Sequence, residues 1–184
     1  YNFRRGGARL TWEELYLEYS GKVYRYILLM VGNEETAEDL THDTFVRVDK
    51  AIKSYKGNAS YYTWLVSIAR NVTYDYWRRK RKIRFLPLGK KETAVSRDFP
   101  EELLLKEEEI KELYFAIRNL KWNYKEVIVL RKIQGLSIEE TAMALGWSIS
   151  KVKSTLQRAL VALKEEIEVQ QRRGGLHDGQ KKVK

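Results

Sequence analysis

A chain of 184 residues with 43% hydrophobic content can bury one ordinary core or two small ones, which excludes wholesale disorder. Its 35 Lys and Arg against 25 Asp and Glu leave a formal net charge of +10, which points to a polyanionic partner, nucleic acid or an anionic membrane surface. With no cysteine, disulfides and thiolate metal sites are excluded, and His42 and His177 lie too far apart in sequence to suggest a structural zinc site.

Pro87 and Pro100, the only prolines, fall in one central stretch, so long helices are expected on either side. From Thr11 to Met30 the residues Trp12, Leu15, Tyr16, Tyr19, Val23, Tyr26, Ile27 and Met30 recur at three- and four-residue steps, which predicts one face of an amphipathic helix. Gly32 and Asn33 supply a stop and the next N-cap. The second helix carries Ala37, Leu40, Thr44, Phe45, Val48 and Ile52 inward, and residues 54–60 read as a loop. A third helix carries Leu65, Ile68, Ala69, Val72 and Tyr76 inward. A basic run from Arg78 to Arg84 and an aperiodic stretch then predict a linker over 84–102. Periodicity resumes over 103–169, and 170–184 reads as a disordered basic tail. The expected architecture is all-α: an N-terminal extension (1–10), a helical domain (11–83), the linker, a second helical domain (103–169) and the tail.

The sharpest motif runs from Gly135 to Leu160. Ser137 and Glu140 form a capping box. Ile138, Ala142 and Leu145 point inward, Gly146 turns the chain, and Ser148 caps a second helix whose buried stripe is Val152, Leu156, Ala159, Leu160 and Leu163. Ser150, Lys151, Lys153, Ser154, Gln157 and Arg158 project outward. Hydroxyls, amides and cations of this kind read base edges and clamp phosphates in a major groove, so the motif is a candidate DNA-binding helix-turn-helix. In the first domain Tyr61, Tyr62, Trp64, Asn71, Tyr74 and Trp77 mix rings and amides ahead of the arginines, a pattern suited to unpaired bases. Glu34, Glu35, Glu38, Asp39 and Asp43 crowd the second helix. Asp39 and Asp43 share a face that repels nucleic acid and suits a basic protein partner.

Residues 37–45 (Ala-Glu-Asp-Leu-Thr-His-Asp-Thr-Phe), 63–71 (Thr-Trp-Leu-Val-Ser-Ile-Ala-Arg-Asn) and 75–79 (Asp-Tyr-Trp-Arg-Arg) resemble region 2 of the extracytoplasmic-function (ECF) bacterial sigma factors. Residues 124–131 (Tyr-Lys-Glu-Val-Ile-Val-Leu-Arg) with the helix-turn-helix resemble region 4 of that family. The resemblance implies an alternative sigma factor that binds core RNA polymerase, recognises −10 and −35 promoter elements and assists melting. It implies that Glu38, Asp39, Asp43 and Phe45 dock on the β′ clamp helices, with the second domain on the β flap. It further implies that Gly57, Asn58, Ala59, Tyr61, Tyr62 and Trp64 capture an unstacked −10 base, with Asn71, Arg78 and Arg79 on adjacent DNA. Ser148, Ser150, Lys151, Lys153, Ser154, Gln157 and Arg158 would read the −35 element.

The family often places Arg where Thr155 stands, which implies one phosphate contact fewer, and a proline frequent before Tyr124 is replaced around Lys121. An anti-sigma partner is a further implication. A stand-alone helix-turn-helix regulator is the alternative, but it leaves the acidic helix and aromatic loop without an account. A nuclease would need clustered metal-binding carboxylates; Asp39 and Asp43 are the only tempting pair, and Asp75 suits a structural salt bridge. No enzymatic activity, cofactor, metal or small-molecule substrate is therefore expected. No run of about eighteen apolar residues suggests a membrane span, no signal peptide is visible, and the expected compartment is the cytoplasm. Because the first residue is Tyr1, the native N-terminus stays open.

Overall fold

The computed structural model describes residues 10–84 and 108–178. Among the described residues there are seven α-helices and no strand, as the apolar spacing predicts. Nearly all of the expected N-terminal extension and of the expected linker, and the end of the expected tail, lie outside the described residues.

The first unit is a bundle of α1 (Trp12–Val31), α2 (Glu34–Ala51) and α3 (Tyr61–Arg84), with a 3₁₀ turn at Ile52–Ser54. A capping box starts α1: the Glu14 N–H donates to Thr11 Oγ1 at 3.3 Å, and the Thr11 N–H donates to the Glu14 carboxylate at 2.8 Å. Gly32 ends the helix in the left-handed region, φ 74°, where a Cβ would be strained. Asn33 then caps α2 by accepting the Thr36 N–H at 2.8 Å. The core is Leu15, Val23, Tyr26, Ile27 and Met30 from α1, Ala37, Leu40, Phe45 and Val48 from α2, and Leu65, Val66, Ala69 and Val72 from α3.

The second unit comprises α4 (Glu108–Asn119), α5 (Trp122–Ile128) with a π-helical turn at Val129–Ile133, α6 (Ile138–Leu145) and α7 (Ile149–Asp178). Ile117, Val127, Leu130, Leu136, Leu145, Val152 and Ala159 fill its core. This core is continuous with that of the first unit. The two units therefore pack on one another, chiefly through α3 against α6.

Three expectations are corrected. Tyr16 is 40% exposed, because it stacks on Trp12 and sets its edge on Phe45 at the rim of the bundle. Leu160 is also 40% exposed: Val152, Thr155 and Ala159 form the buried stripe of α7, and Leu160 lies one position round the helix from it. The last helix also runs on to Asp178, through the first part of the stretch read as a disordered tail. Glu168 pairs with Lys164 at 3.9 Å and with Arg172 at 3.5 Å, one turn to either side, which supports helix past Val169.

Candidate nucleic-acid interface

The helix-turn-helix is built as its sequence prescribes. The Glu140 N–H donates to Ser137 Oγ at 3.0 Å and the Ser137 N–H donates to the Glu140 carboxylate at 2.8 Å, fixing the start of α6. Gly146 makes the turn at φ 64°. Ser148 Oγ accepts the Lys151 N–H at 3.2 Å, which engages this hydroxyl in starting α7. Ser148 at the cap and Ser150, Lys151, Lys153, Ser154, Gln157 and Arg158 on the first turns of α7 are all exposed. Lys151 Nζ lies 4.3 Å from the centre of the Trp147 ring, a cation–π contact that steadies the ammonium at the mouth of the motif. Arg158 Nε donates to the Ser154 carbonyl at 3.2 Å, which orients the guanidinium along the helix.

Beside this face lies a cleft of about 390 Å³ lined by Lys121, Trp122, Asn123, Tyr124, Lys151, Thr155 and Arg158. Three cations meet there, a surface suited to backbone phosphate. The sequence reading passed over Lys121 and Asn123. The polar, cationic run immediately before the buried stripe of α5 was the available signal. Thr155 is 5% exposed. Its side chain belongs to the cleft wall and not to the exposed face of α7, so the difference from the family at this position bears on the cleft.

On the first unit, Gly57 takes φ 74° and lies exposed with Asn58 in the loop before α3. Tyr55, not singled out from sequence, anchors this loop: its hydroxyl donates to the Ala59 carbonyl. Its ring stacks on Tyr61 (centroids 4.5 Å) and lies tilted against Trp64 (5.0 Å). Tyr62 stacks on Tyr19 at 5.9 Å, with Lys22 Nζ 5.5 Å from the Tyr62 ring centre. Burial pushes the Tyr62 hydroxyl well above its ordinary range and the Tyr19 hydroxyl up to about 12, with Glu18 adding to the latter.

Tyr61, Tyr62 and Trp64 are thus half-buried ring surfaces backed by other aromatics. Trp77 packs edge-on against Trp122 of the second unit, centroids 6.4 Å apart, where an outward position was expected. Asn71, Arg78 and Arg79 are exposed farther along α3. Asp75 accepts from Arg78 at 3.0 Å and from Arg47 at 3.3 Å, the structural salt bridge expected of it.

Glu38, Asp39 and Asp43 are exposed on α2, together with His42. Phe45 departs from its expected docking role. It is 1% exposed, its ring packs on Tyr16 and Trp12, and its carbonyl accepts the Trp12 indole N–H at 2.9 Å. It holds α2 to α1 from inside. Among the described residues no three His, Cys, Asp or Glu side chains are grouped to hold a metal ion, and no helix is long and apolar enough to cross a membrane.

Comparison with known proteins agrees with both halves of this arrangement. The Sigma-70 region 2 family matches residues 15–83, and the Sigma-70 region 4 family matches residues 110–163. The chain is 38% identical to the ECF RNA polymerase sigma factor SigX of Bacillus subtilis, over 86% of this chain and 84% of that protein. It is 37% identical to the RNA polymerase sigma factor YlaC of the same organism, over 84% of this chain and 91% of that one. Among solved structures, the sigma factor RpoE of Bartonella quintana, crystallised with the anti-sigma factor NepR, superposes with a TM-score of 0.72 at 23% identity, covering 85% of this chain and 96% of that chain. A stand-alone helix-turn-helix regulator is not favoured, because the match extends over the first unit as well as the second. The chain belongs to the extracytoplasmic-function sigma factors of the sigma-70 family.

Proposed function

We propose that this alternative sigma factor divides its work among three surfaces: an acidic docking face on α2, a base-capture face at the start of α3, and a −35 reading face on α7. The observation that carries the reading is the segregation of charge. Glu38, Asp39 and Asp43 form an exposed acidic face on a chain of net charge +10, while Lys151, Lys153 and Arg158 stand exposed on the first turns of α7. Acidic side chains repel DNA and attract a basic protein surface, which suits docking on the β′ clamp helices of core RNA polymerase.

The second unit binds the β flap and the −35 element. Ser150, Lys151, Lys153, Ser154, Gln157 and Arg158 meet bases and phosphates there, with Lys121 and the adjoining cleft on the backbone. Gly57, Asn58 and Ala59 with Tyr61, Tyr62 and Trp64 take an unpaired −10 base, and Asn71, Arg78 and Arg79 follow the neighbouring strand. The protein works in the cytoplasm as an initiation factor without enzymatic activity of its own. The relatives solved in complex with anti-sigma factors support a protein antagonist of the same surfaces here.

Charge reversal tests the division. The D39K/D43K variant should lose most of its affinity for core polymerase while keeping its affinity for a −35 duplex. Loss of duplex binding together with polymerase binding would contradict separate surfaces.

A further inference from the structure

We infer that the cleft beside α7 binds a free nucleoside diphosphate, and that this ligand and −35 duplex exclude one another. The exclusion rests on the −35 reading of α7, whereas occupation of the cleft does not. At about 390 Å³ the cleft is of a size that takes a small ligand. Its lining combines Lys121, Lys151 and Arg158 with the half-buried Trp122 and Tyr124 rings, and it contains no carboxylate. Among the described residues none of the three cations forms an ion pair. Lys151 is steadied by the Trp147 ring, and Arg158 gives its Nε–H to the Ser154 carbonyl, which leaves the far end of the guanidinium for an outside acceptor. Glu126, on the same helix as Trp122 and Tyr124, is buried and paired with Arg70 at 2.6 Å, so its charge is already balanced.

Thr155 supplies a second, independent observation. It lines the cleft, is 5% exposed, and its hydroxyl has no hydrogen-bond partner among the described residues. A nearly buried hydroxyl left without a partner is costly, and a ligand oxygen seated in the cleft would satisfy it.

Cations alone would suit a duplex backbone equally well; the rings separate the two ligands. A duplex presents sugar and phosphate but keeps its bases stacked inside the helix, so Trp122 and Tyr124 would gain no base to stack on. A free nucleotide brings both groups, a base for the rings and phosphates for the cations. A diphosphate carries about three negative charges near neutral pH, up to about two of them on the terminal group, which matches the three cations. The exposed Asn123 amide at the same cleft can both donate to and accept from a base edge. Lys151 and Arg158 also stand on the exposed face of α7. The same cations do not neutralise duplex phosphates and a nucleotide at once, so each ligand lowers the affinity for the other by the same factor.

Calorimetric titration of the full chain with ADP and GDP at fixed ionic strength should show one saturable site, with Kd below about 1 mM. Inorganic pyrophosphate, which lacks the ring, should bind about tenfold more weakly. N123E sets a carboxylate at an exposed first-turn position of α5, where an acid favours the helix. It should weaken ADP about tenfold or more with helical content unchanged, and T155L, which fills the cleft, should do the same. Q157A, on the exposed face but outside the cleft, should leave ADP affinity as it is. Saturating ADP should raise the Kd for a −35 duplex, selected on the chain from a randomised pool, about fivefold or more over a salt control of equal ionic strength. No saturable binding of ADP or GDP, equal binding of pyrophosphate, or ADP binding that N123E and T155L leave intact would overturn the site. Binding of ADP without competition against the duplex would overturn the exclusion. A chain that binds ADP by these criteria but selects no duplex would uphold the site and contradict the −35 reading instead.

Discussion

Lys125 lies on α5 next to Glu126, where burial, aided by the Arg118 charge, lowers its ammonium to about 8 from 10.5. Between those values the unfolded chain binds a proton that the folded chain does not, so stability rises with pH from about 8 towards 10. Above 10 the sign reverses, because buried Tyr19 and Tyr62 keep their protons while the unfolded tyrosines lose theirs. Thermal melts across pH 7 to 11 should show that maximum, and K125M should remove the rise below 10. A flat profile that is the same in both proteins would contradict the placement of Lys125. On α7, replacing Lys151 or Gln157 by Ala should cost about 1–3 kcal/mol of discrimination at one or two −35 positions. Polymerase binding should stay unchanged, as a competition assay with altered duplexes and a pull-down on core enzyme would show. Thr155 marks what residue chemistry alone does not reveal: only the fold shows that its side chain lines a cleft and not the exposed face of α7.

At the scale of elements, local signals were strong wherever one residue decides a helix end. Gly32, Asn33, Ser137, Gly146 and Ser148 were all legible because caps and left-handed turns depend on a side chain and its immediate neighbours. Loss of the Ser137 cap by S137A should destabilise the chain by about 1 kcal/mol. The F45A variant should cost about 3–5 kcal/mol by opening a cavity between α1 and α2. Urea titrations followed by circular dichroism would check both, and a cost under about 1 kcal/mol for F45A would restore it to the surface. Less was legible where tertiary contact decides. Phe45 has the right spacing for either a core or a docking residue, and only the Trp12 and Tyr16 rings settle which. The run of α7 past Val169 depends on pairs spaced four residues apart in a stretch whose composition reads as tail. The exposure of the α7 residues singled out by their motif was legible from the helical period, whereas the Arg70–Glu126 pair joins residues distant in sequence and had no local signature.

For the whole molecule, energy decides what the chain can do alone. Opening duplex DNA costs about 1.4 kcal/mol per base-pair step, and stacking a captured base returns about 1–3 kcal/mol. One or two captured bases do not offset a bubble of many steps, so the free chain should bind duplex promoter weakly and open it hardly at all. Its affinity for DNA should fall with salt at a log–log slope of about −0.9 per neutralised phosphate. The most direct test of the central claim is transcription by purified core RNA polymerase with and without this chain, on a panel of promoter templates. The account predicts initiation at defined start sites only when both are present, with shared sequences upstream at −35 and −10. A chain that binds DNA but neither associates with core polymerase nor directs initiation would contradict it.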